Sequence, residues 1–224
     1  MLTPRLKAVV SSIDFAKTLA DIGTDHAYLP IESCRKNFCE KAIACDINKG
    51  PLEIAKINIK EAGLADTIET RLGDGLKPLK KNEADCIVIT GMGGKRIISI
   101  IDEEIEKAKN AKLILQPQHD LEELRKSLHE MSFEIIEEKL IKESFRFYVI
   151  ICAKFVKNIT PWSESEYFLG KLSGNDLLSF YNDKKDKILR YINNINNEDV
   201  RSKADKQLNW IKEFIENENS KMAN

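Results

Sequence analysis

Acidic residues at the ends of two predicted strands are the first sign of chemistry in this sequence. An apolar run ends at Asp21 and is followed by Gly23, and Asp46 ends the next apolar run twenty-five residues after Asp21. A glycine after a strand lets the backbone approach a ligand closely, and an acid at the tip of the second strand can accept hydrogen bonds from both ribose hydroxyls. The spacing therefore predicts a nucleoside-binding site.

The polar residues of the first loop indicate which nucleoside cofactor fits. Dinucleotide folds keep glycines where the pyrophosphate rests on bare backbone, whereas this loop carries Asp25, His26 and Tyr28. A carboxylate there would repel a pyrophosphate, so NAD and FAD are disfavoured. S-adenosylmethionine has no phosphate and carries a cationic sulfonium, which an acidic loop tolerates. We therefore expect S-adenosylmethionine as the cofactor.

Two further strand ends carry glycine-rich loops. Asp74 lies between Gly73 and Gly75, where its carboxylate could accept a hydrogen bond from the adenine amino group, and Met92 lies in the glycine-dense loop 90–94. Open α/β sheets bind their ligands at this edge. The residues that we expect to bind the cofactor are Asp21, Gly23, Thr24, Asp46, Ile47, Asp74, Gly75, Gly91 and Gly93.

The elements that position these residues follow from an alternation of apolar patterns. Short β-branched runs alternate with amphipathic stretches from about Lys17 to Phe155, which predicts β/α units around a mainly parallel sheet. Two later strand-like runs are separated by too few residues for a crossover helix and predict an antiparallel hairpin. The predicted strands are Thr18 to Ile22, Ala42 to Asp46, Ile68 to Leu72, Cys86 to Thr90, Lys112 to Leu115, Phe133 to Ile141 and Phe145 to Phe155. The predicted helices between them are Tyr28 to Lys36, Pro51 to Ala62, Lys95 to Ala108 and Leu121 to Met131.

The composition changes after Thr160, where the sequence becomes asparagine-rich and helical in pattern. Apolar residues from Leu177 to Ile215 recur at three- and four-residue spacings or their sums, which predicts two helices. The asparagines from Asn193 to Asn197 suit a turn between them. We therefore expect two domains, a cofactor-binding domain of residues 1–156 and a helical hairpin domain of residues 157–224.

Composition excludes several classes of protein. The 35 basic and 36 acidic residues leave a net charge of −1, so a nucleic-acid surface would have to be local. Apolar runs are too short to span a membrane, and the N-terminus does not resemble a signal peptide. The five cysteines form no C-x-x-C pair. We expect a soluble cytoplasmic protein with reduced cysteines and no metal, and a monomer, although the sequence leaves the oligomeric state open.

The ordered motifs resemble those of a known family. The segments Asp21 to Pro30, Ala44 to Ile47, Gly73 to Leu76 and Thr90 to Gly94 are similar to those of class I S-adenosylmethionine-dependent methyltransferases. They most resemble the bacterial TrmK family of tRNA (adenine(22)-N1)-methyltransferases. The resemblance covers residues 1 to 156, and the helical tail fits that family's coiled-coil-like appendage. It implies a Rossmann-like α/β fold, tRNA as substrate and methylation of adenine N1.

Three residues are candidates for the catalytic step. N1 of neutral adenine can attack the methyl group without a general base, and a carboxylate such as Asp25 would stabilise the positive charge that the ring gains. His26 is the second candidate, and Met92 could line the substrate pocket. Each has a structural alternative: Asp25 could cap a helix, His26 could be a hydrogen-bonded structural residue, and Met92 could fill the loop.

Recognition of tRNA requires basic side chains that contact phosphates and polar groups that contact a base. Each of these residues could equally belong to an ordinary solvated face. Other acceptors, namely another RNA, a small molecule or a protein, remain alternatives, as does a non-catalytic protein that binds S-adenosylmethionine or RNA. The candidates for tRNA binding are Lys95, Arg96, Gln116, Gln118, Lys184, Lys185 and Lys187.

Overall fold

The computed structural model describes residues 2–193 and 197–222. The strands are β1 (Ala16–Ile22), β2 (Cys39–Asp46), β3 (Ile68–Leu72), β4 (Cys86–Met92), β5 (Lys112–Pro117), β6 (Phe133–Glu143), β7 (Arg146–Phe155) and β8 (Leu172–Ser173). The helices are α1 (Pro4–Ser11), α2 (Tyr28–Arg35), α3 (Lys49–Glu61), α4 (Gly94–Glu103), α5 (Ile105–Ala108), α6 (Leu121–Glu130), α7 (Glu164–Leu169), α8 (Leu177–Ile192) and α9 (Glu198–Met222).

The strands form one sheet in the order β3-β2-β1-β4-β5-β7-β6-β8. The five strands from β3 to β5 are parallel, and β7 inserts antiparallel between β5 and β6. The predicted Rossmann-like sheet with a terminal hairpin is confirmed. The chain order reverses beside β1, which lies between β2 and β4, and such a switch point is where open α/β sheets bind ligands.

Both faces of the sheet are covered by helices. On one face the core includes buried residues of α4 and α6, and on the other it includes buried residues of α1, α2 and α3. Strands that are buried on both faces have continuous apolar sequences. In β4, Ile87, Val88 and Ile89 form such a run, and none of them is exposed. This packing fixes the strand ends from which the polar loops emerge.

Three elements of the structure were not predicted, and one predicted helix is interrupted. Helix α1 is short and begins with the Thr3 cap and Pro4, and α7 begins with a capping box at Ser163. Strand β8 has two residues, which is too short for a periodic pattern. The helix predicted from Lys95 to Ala108 breaks at Glu104, whose φ of −134° is not helical.

The C-terminal segment is tied to the sheet by a buried ion pair. Arg125 Nε donates to Glu138 Oε1 over 2.8 Å, and both side chains are at most 1% exposed. Arg125 also donates to the carbonyls of Tyr167 and Phe168, and Glu138 accepts from the Lys171 amide. Strand β8 then pairs with β6, so residues beyond 156 lie against the sheet. The domain boundary at 156 stays a prediction.

The helices α8 and α9 pack against each other, as the apolar spacing predicts. Tyr181 is fully buried between them and its ring centroid lies 4.2 Å from that of Phe214. Residues 194–196 of the turn predicted from Asn193 to Asn197 lie outside the described residues.

Two expectations from composition can be compared with the structure. All five cysteines are free and buried. Within the described ranges, no helix has both the length and the apolar character needed to cross a lipid bilayer.

The buried ion pair gives a test of how the C-terminal segment is held. Arg125→Met should lower the free energy of unfolding by about 3 kcal/mol or more, because Glu138 would stay buried without its cation. Urea denaturation followed by circular dichroism measures the change. The control is Lys206→Met, which breaks an exposed ion pair to Glu164 and should leave the free energy of unfolding nearly unchanged. Equal small losses in the two variants would contradict a stabilising role for the buried pair.

Candidate active site

A cleft of about 280 Å³ opens at the carboxyl ends of the parallel strands, at the switch point beside β1. Four strands contribute to it, through the loops that follow β1, β2 and β3 and the last residues of β4, together with the first turns of α4. Five of the seven glycines and acids predicted to bind a cofactor meet here, whereas Asp21 and Gly93 are not among the lining residues. The lining residues are Ile22, Gly23, Asp46, Ile47, Asn48, Gly73, Asp74, Gly75, Thr90, Gly91, Met92, Arg96 and Ile100.

Asp46 is held in place by backbone amides from two loops. Its Oδ2 accepts a hydrogen bond from the amide of Asp25 over 3.2 Å, and its Oδ1 accepts from the amide of Asn48 over 2.9 Å. Its carbonyl accepts from the amide of Gly73. The Asp46 residue is only 8% exposed. Each carboxylate oxygen keeps further lone pairs, so Asp46 can accept two hydroxyl hydrogen bonds from a ribose.

Asp21 holds the loop after β1 in place. Its Oδ2 accepts a hydrogen bond from Thr24 Oγ1 over 2.7 Å, and both residues are buried. The carbonyl of Cys45 accepts hydrogen bonds from the amides of Gly23 and Thr24. Burial raises the pKa of Asp21 to about 6 from its ordinary value of 3.8, while the Thr24 hydrogen bond lowers it and the nearby charge of Asp46 raises it. Asp21 and Thr24 therefore position the loop rather than line the cleft.

Gly23 and Met92 meet across the floor of the cleft. Gly23 has φ of +75°, and a Cβ on it would lie 2.4 Å from the Met92 methyl carbon. No L side chain fits this position without moving Met92. The glycine therefore permits both the turn and the close approach of the loop after β1 to the end of β4.

Asp74 is engaged by two cations. Its carboxylate contacts the guanidinium of Arg96 and lies 3.3 Å from Lys77 Nζ. Arg96 was expected at the tRNA, but its side chain lies at the cofactor cleft. An adenine amino group at Asp74 would share the carboxylate with these cations.

Asp25 and His26 lie on the rim of the cleft rather than in its lining. The Asp25 side chain is 67% exposed and its Oδ2 lies 3.6 Å from His26 Nε2. His26 Nδ1 is buried and has no hydrogen-bond partner in the described part of the chain. Asp25 has φ of +54° and lies three residues before α2, which begins after Ala27 without a side-chain cap. The capping alternative for Asp25 is therefore not what the structure shows.

The predicted tRNA-binding residues are spread over several surfaces. Lys95 is exposed and lies 3.4 Å from Glu123. Gln118 lies beside the end of β4, since its amide donates to the Met92 carbonyl. Lys185 donates to Asn182, and Lys187 pairs with Asp183 over 2.6 Å.

Two of the predicted tRNA-binding side chains point inward. Gln116 has no exposure, accepts from Arg5 and donates to the Pro117 carbonyl. Lys184 donates to the Phe168 carbonyl and lies 3.6 Å from the centre of that ring. Burial, with a smaller effect from Arg125, lowers the pKa of Lys184 to about 7. Gln116 is therefore not available to an RNA in this arrangement, and the Lys184 ammonium is engaged by Phe168.

Some cleft residues were missed by sequence reasoning. Asn48, two residues after Asp46, is one of them. Ile100 is another, because it lies on the buried face of α4, and its apolar spacing alone assigns it to the core. The position of Arg96 in the first turn of α4, directly after the glycine loop, is the signal that could have placed it at the cofactor.

Comparison with known proteins identifies relatives of the chain. The family described as "Methyltransferase domain" matches residues 2–151. The tRNA (adenine(22)-N(1))-methyltransferase of Bacillus subtilis is 37% identical over 154 residues, which are 68% of this chain and 65% of that protein. The aligned part of the chain thus spans just under two thirds of this curated relative.

Solved structures match almost the whole chain. TrmK of M. capricolum, in complex with S-adenosyl-homocysteine, is 30% identical with a TM-score of 0.83, covering 96% of this chain and 98% of that one. Sp1610 of Streptococcus pneumoniae, in complex with S-adenosyl-L-methionine, is 29% identical with a TM-score of 0.87, covering 96% and 100%. The similarity therefore includes the C-terminal helices.

The raised pKa of Asp21 predicts a specific pH dependence of stability. Because the folded chain holds this proton up to about pH 6, the folded state loses stability as the pH rises from about 4 to about 6. Asp21→Asn removes this loss. The variant should gain stability relative to the parent across that window and keep an advantage of about 3 kcal/mol above it. Chemical denaturation at several pH values measures this, with the exposed Asp66→Asn as control. Parallel profiles for parent and Asp21→Asn would contradict the assignment.

Proposed function

This chain belongs to the TrmK family of tRNA (adenine(22)-N(1))-methyltransferases, and from that premise we infer that it transfers the methyl group of S-adenosylmethionine to N1 of adenine 22 in tRNA. The observation that carries this inference is the cleft around Asp46. It combines a pre-positioned ribose acceptor with glycine-lined loops in a fold that relatives use with S-adenosylmethionine and its product.

The charges of the cleft favour this cofactor over a dinucleotide. Asp21, Asp46 and Asp74 stand at or just beyond the ends of the first three strands, and among residues 2–193 and 197–222 only Asp74 of these three has a cation against it. S-adenosylmethionine carries a net positive charge and is attracted by such a field, whereas a pyrophosphate is repelled. We assign the ribose to Asp46, the adenine side of the cleft to Asp74 and Gly75, and the methionine side to Gly23 and Gly91.

Methylation at N1 makes few demands on acid–base chemistry. The N1 lone pair attacks the methyl carbon, the carbon–sulfur bond breaks, and S-adenosylhomocysteine leaves as the ring becomes positive. The rate comes chiefly from holding N1, carbon and sulfur in line and excluding water. Met92, on the floor of the cleft, helps to shape the pocket for the reacting groups.

Asp25 is our candidate for stabilising the charge that develops on the adenine ring. Its exposed carboxylate lies on the rim of the cleft while its own amide is fixed on Asp46, so the cofactor and the carboxylate are positioned by one loop. His26, within 3.6 Å of it, orients the carboxylate. Both assignments are part of the proposal.

The enzyme works on tRNA as a soluble cytoplasmic protein in this proposal, and we take it to act as a monomer. The methyltransferase domain of residues 1–156 carries the cofactor site. The helical hairpin of residues 157–224 supplies further surface to a large RNA, with Lys185 and Lys187 as its candidate contacts.

The proposed function predicts methylation at one base. With labelled S-adenosylmethionine, the protein should methylate an unmodified tRNA transcript that has adenine at position 22, and mass spectrometry should place the methyl group on N1 of that base. A matched transcript with guanine at position 22 should accept no label, because guanine N1 carries a proton and no free lone pair.

Other outcomes would separate the alternatives. Equal labelling of the two transcripts would contradict the assigned position. Label in protein or small-molecule pools, with none in tRNA, would contradict the assigned substrate. A bound cofactor with no transfer to any pool would indicate a non-catalytic protein.

A further inference from the structure

A second groove, of about 640 Å³, lies beside the cofactor cleft. It is bounded by the start of α1, the loop after β5, the first residues of β7 and one face of α8. We call it the hairpin groove, after residues 145–148 of the β6–β7 hairpin that form one of its walls. The residues that line the hairpin groove differ from those that line the cofactor cleft.

The hairpin groove lies on the same edge of the sheet as the cofactor. Strand β7 runs antiparallel to β5, with Ile151 opposite Leu115, so the first residues of β7 extend beyond the carboxyl end of β5. The two sites also share a wall, because Gln118 lines the groove while its amide donates to the Met92 carbonyl of the cleft. A polymer bound at the cofactor cleft can therefore continue into the groove.

An aromatic ring stands at the tip of this hairpin. Phe145 is 99% exposed, and the pairing of Glu143 with Arg146 leaves only Ser144 and Phe145 in the turn. The base of the hairpin is fixed by Phe147, whose ring packs edge-on against Phe180 of α8 at 5.5 Å. The Phe145 ring gains nothing from the fold, and both of its faces are free for contact with a partner.

The charges of the groove favour an anion. Within the described chain, neither Arg5 nor Arg146 has an ion pair with an acidic side chain, so their positive charges are not neutralised by a contacting carboxylate. The acids nearby are already engaged: Asp183 pairs with Lys187, and Glu143 accepts from the Arg5 amide. The guanidinium of Arg5 is fixed by Gln116 and lies 5.0 Å from the centre of the Tyr148 ring.

We propose that the hairpin groove binds unpaired tRNA nucleotides next to the target adenine, with one base stacked on Phe145 and the phosphates at Arg5 and Arg146. Exposed aromatic rings beside arginines are the means by which proteins hold single-stranded RNA. A duplex does not offer free base faces, so the nucleotides beside the target must leave their stack, and Phe145 replaces part of the stacking they lose. This proposal rests on the proposed function, because it assigns the groove to the part of the tRNA next to the methylated base.

The test measures the dissociation constant of the tRNA in the presence of S-adenosylhomocysteine, which requires no methyl transfer. Phe145→Ala should weaken tRNA binding by roughly five- to 100-fold, the effect of one lost base–aromatic stack. Phe145→Tyr should bind as the parent does, whereas Phe145→Leu, which keeps apolar area without a ring, should bind as poorly as Phe145→Ala. Arg146→Gln should reduce the slope of log affinity against log salt by about one.

The matched control is Phe15→Ala, another exposed phenylalanine, which precedes β1 at the opposite edge of the sheet and should leave tRNA binding unchanged. Melting temperature and cofactor affinity should be the same in all Phe145 variants, because the ring contributes nothing to either. Parental tRNA affinity in Phe145→Ala, or full rescue by leucine, would overturn the proposal.

Failure of the proposed function gives a different result from failure of this inference. A parent protein that binds tRNA but does not methylate adenine 22 would contradict the function, while the comparison of Phe145 variants would still report on the groove. If a second copy of the chain occupied the groove instead, Phe145→Ala would change the elution volume on size exclusion with tRNA affinity unaltered, which would also overturn the proposal.

Discussion

The candidate active site depends on the fixed position of one carboxylate, that of Asp46. Backbone amides of Asp25 and Asn48 hold its two oxygens, and its carbonyl accepts from Gly73, so the loops after β1, β2 and β3 meet at a single residue. A hydrogen bond to an ionised group is stronger than one between neutral groups. The Asp46 carboxylate therefore fixes the loops after β1 and β2 relative to each other. A ligand that hydrogen-bonds to it finds an acceptor that needs no reorganisation.

Close packing and charge determine the rest of the cleft. Gly23 has no Cβ, which permits Met92 to approach the first loop, and together they form the floor of the cleft. Asp21 keeps the loop in place but pays a desolvation cost, visible in its raised pKa. The same sheet edge continues into the hairpin groove, which presents Arg5, Arg146 and the exposed ring of Phe145. Opposite charge on neighbouring surfaces is what a cationic cofactor and an anionic RNA require.

Sequence reasoning succeeds here where one local rule decides the outcome. Alternating apolar runs predict the five parallel strands and the hairpin, and strand-end position brings Asp46, Gly75 and Gly91 to one cleft. It fails where partners come from distant segments. Arg96 forms an ion pair with Asp74. Gln116 accepts a hydrogen bond from Arg5, and the Lys184 ammonium lies over the ring of Phe168. No spacing rule reports these contacts, because the packing of helices on the sheet creates them. The apolar pattern predicts Phe145 as a strand residue, whereas the structure places it in the turn, fully exposed.

The central claim, that Asp46 anchors the cofactor through its ribose, is tested most directly by calorimetry of S-adenosylmethionine binding. Asp46→Ala should weaken binding by about 1 to 3 kcal/mol, since the ribose hydroxyls lose their acceptor and the first loop loses its attachment. Asp66→Ala, an exposed aspartate in the loop before β3, should bind as the parent does. An Asp46→Ala protein that is folded and binds S-adenosylmethionine with the parental affinity would contradict the account.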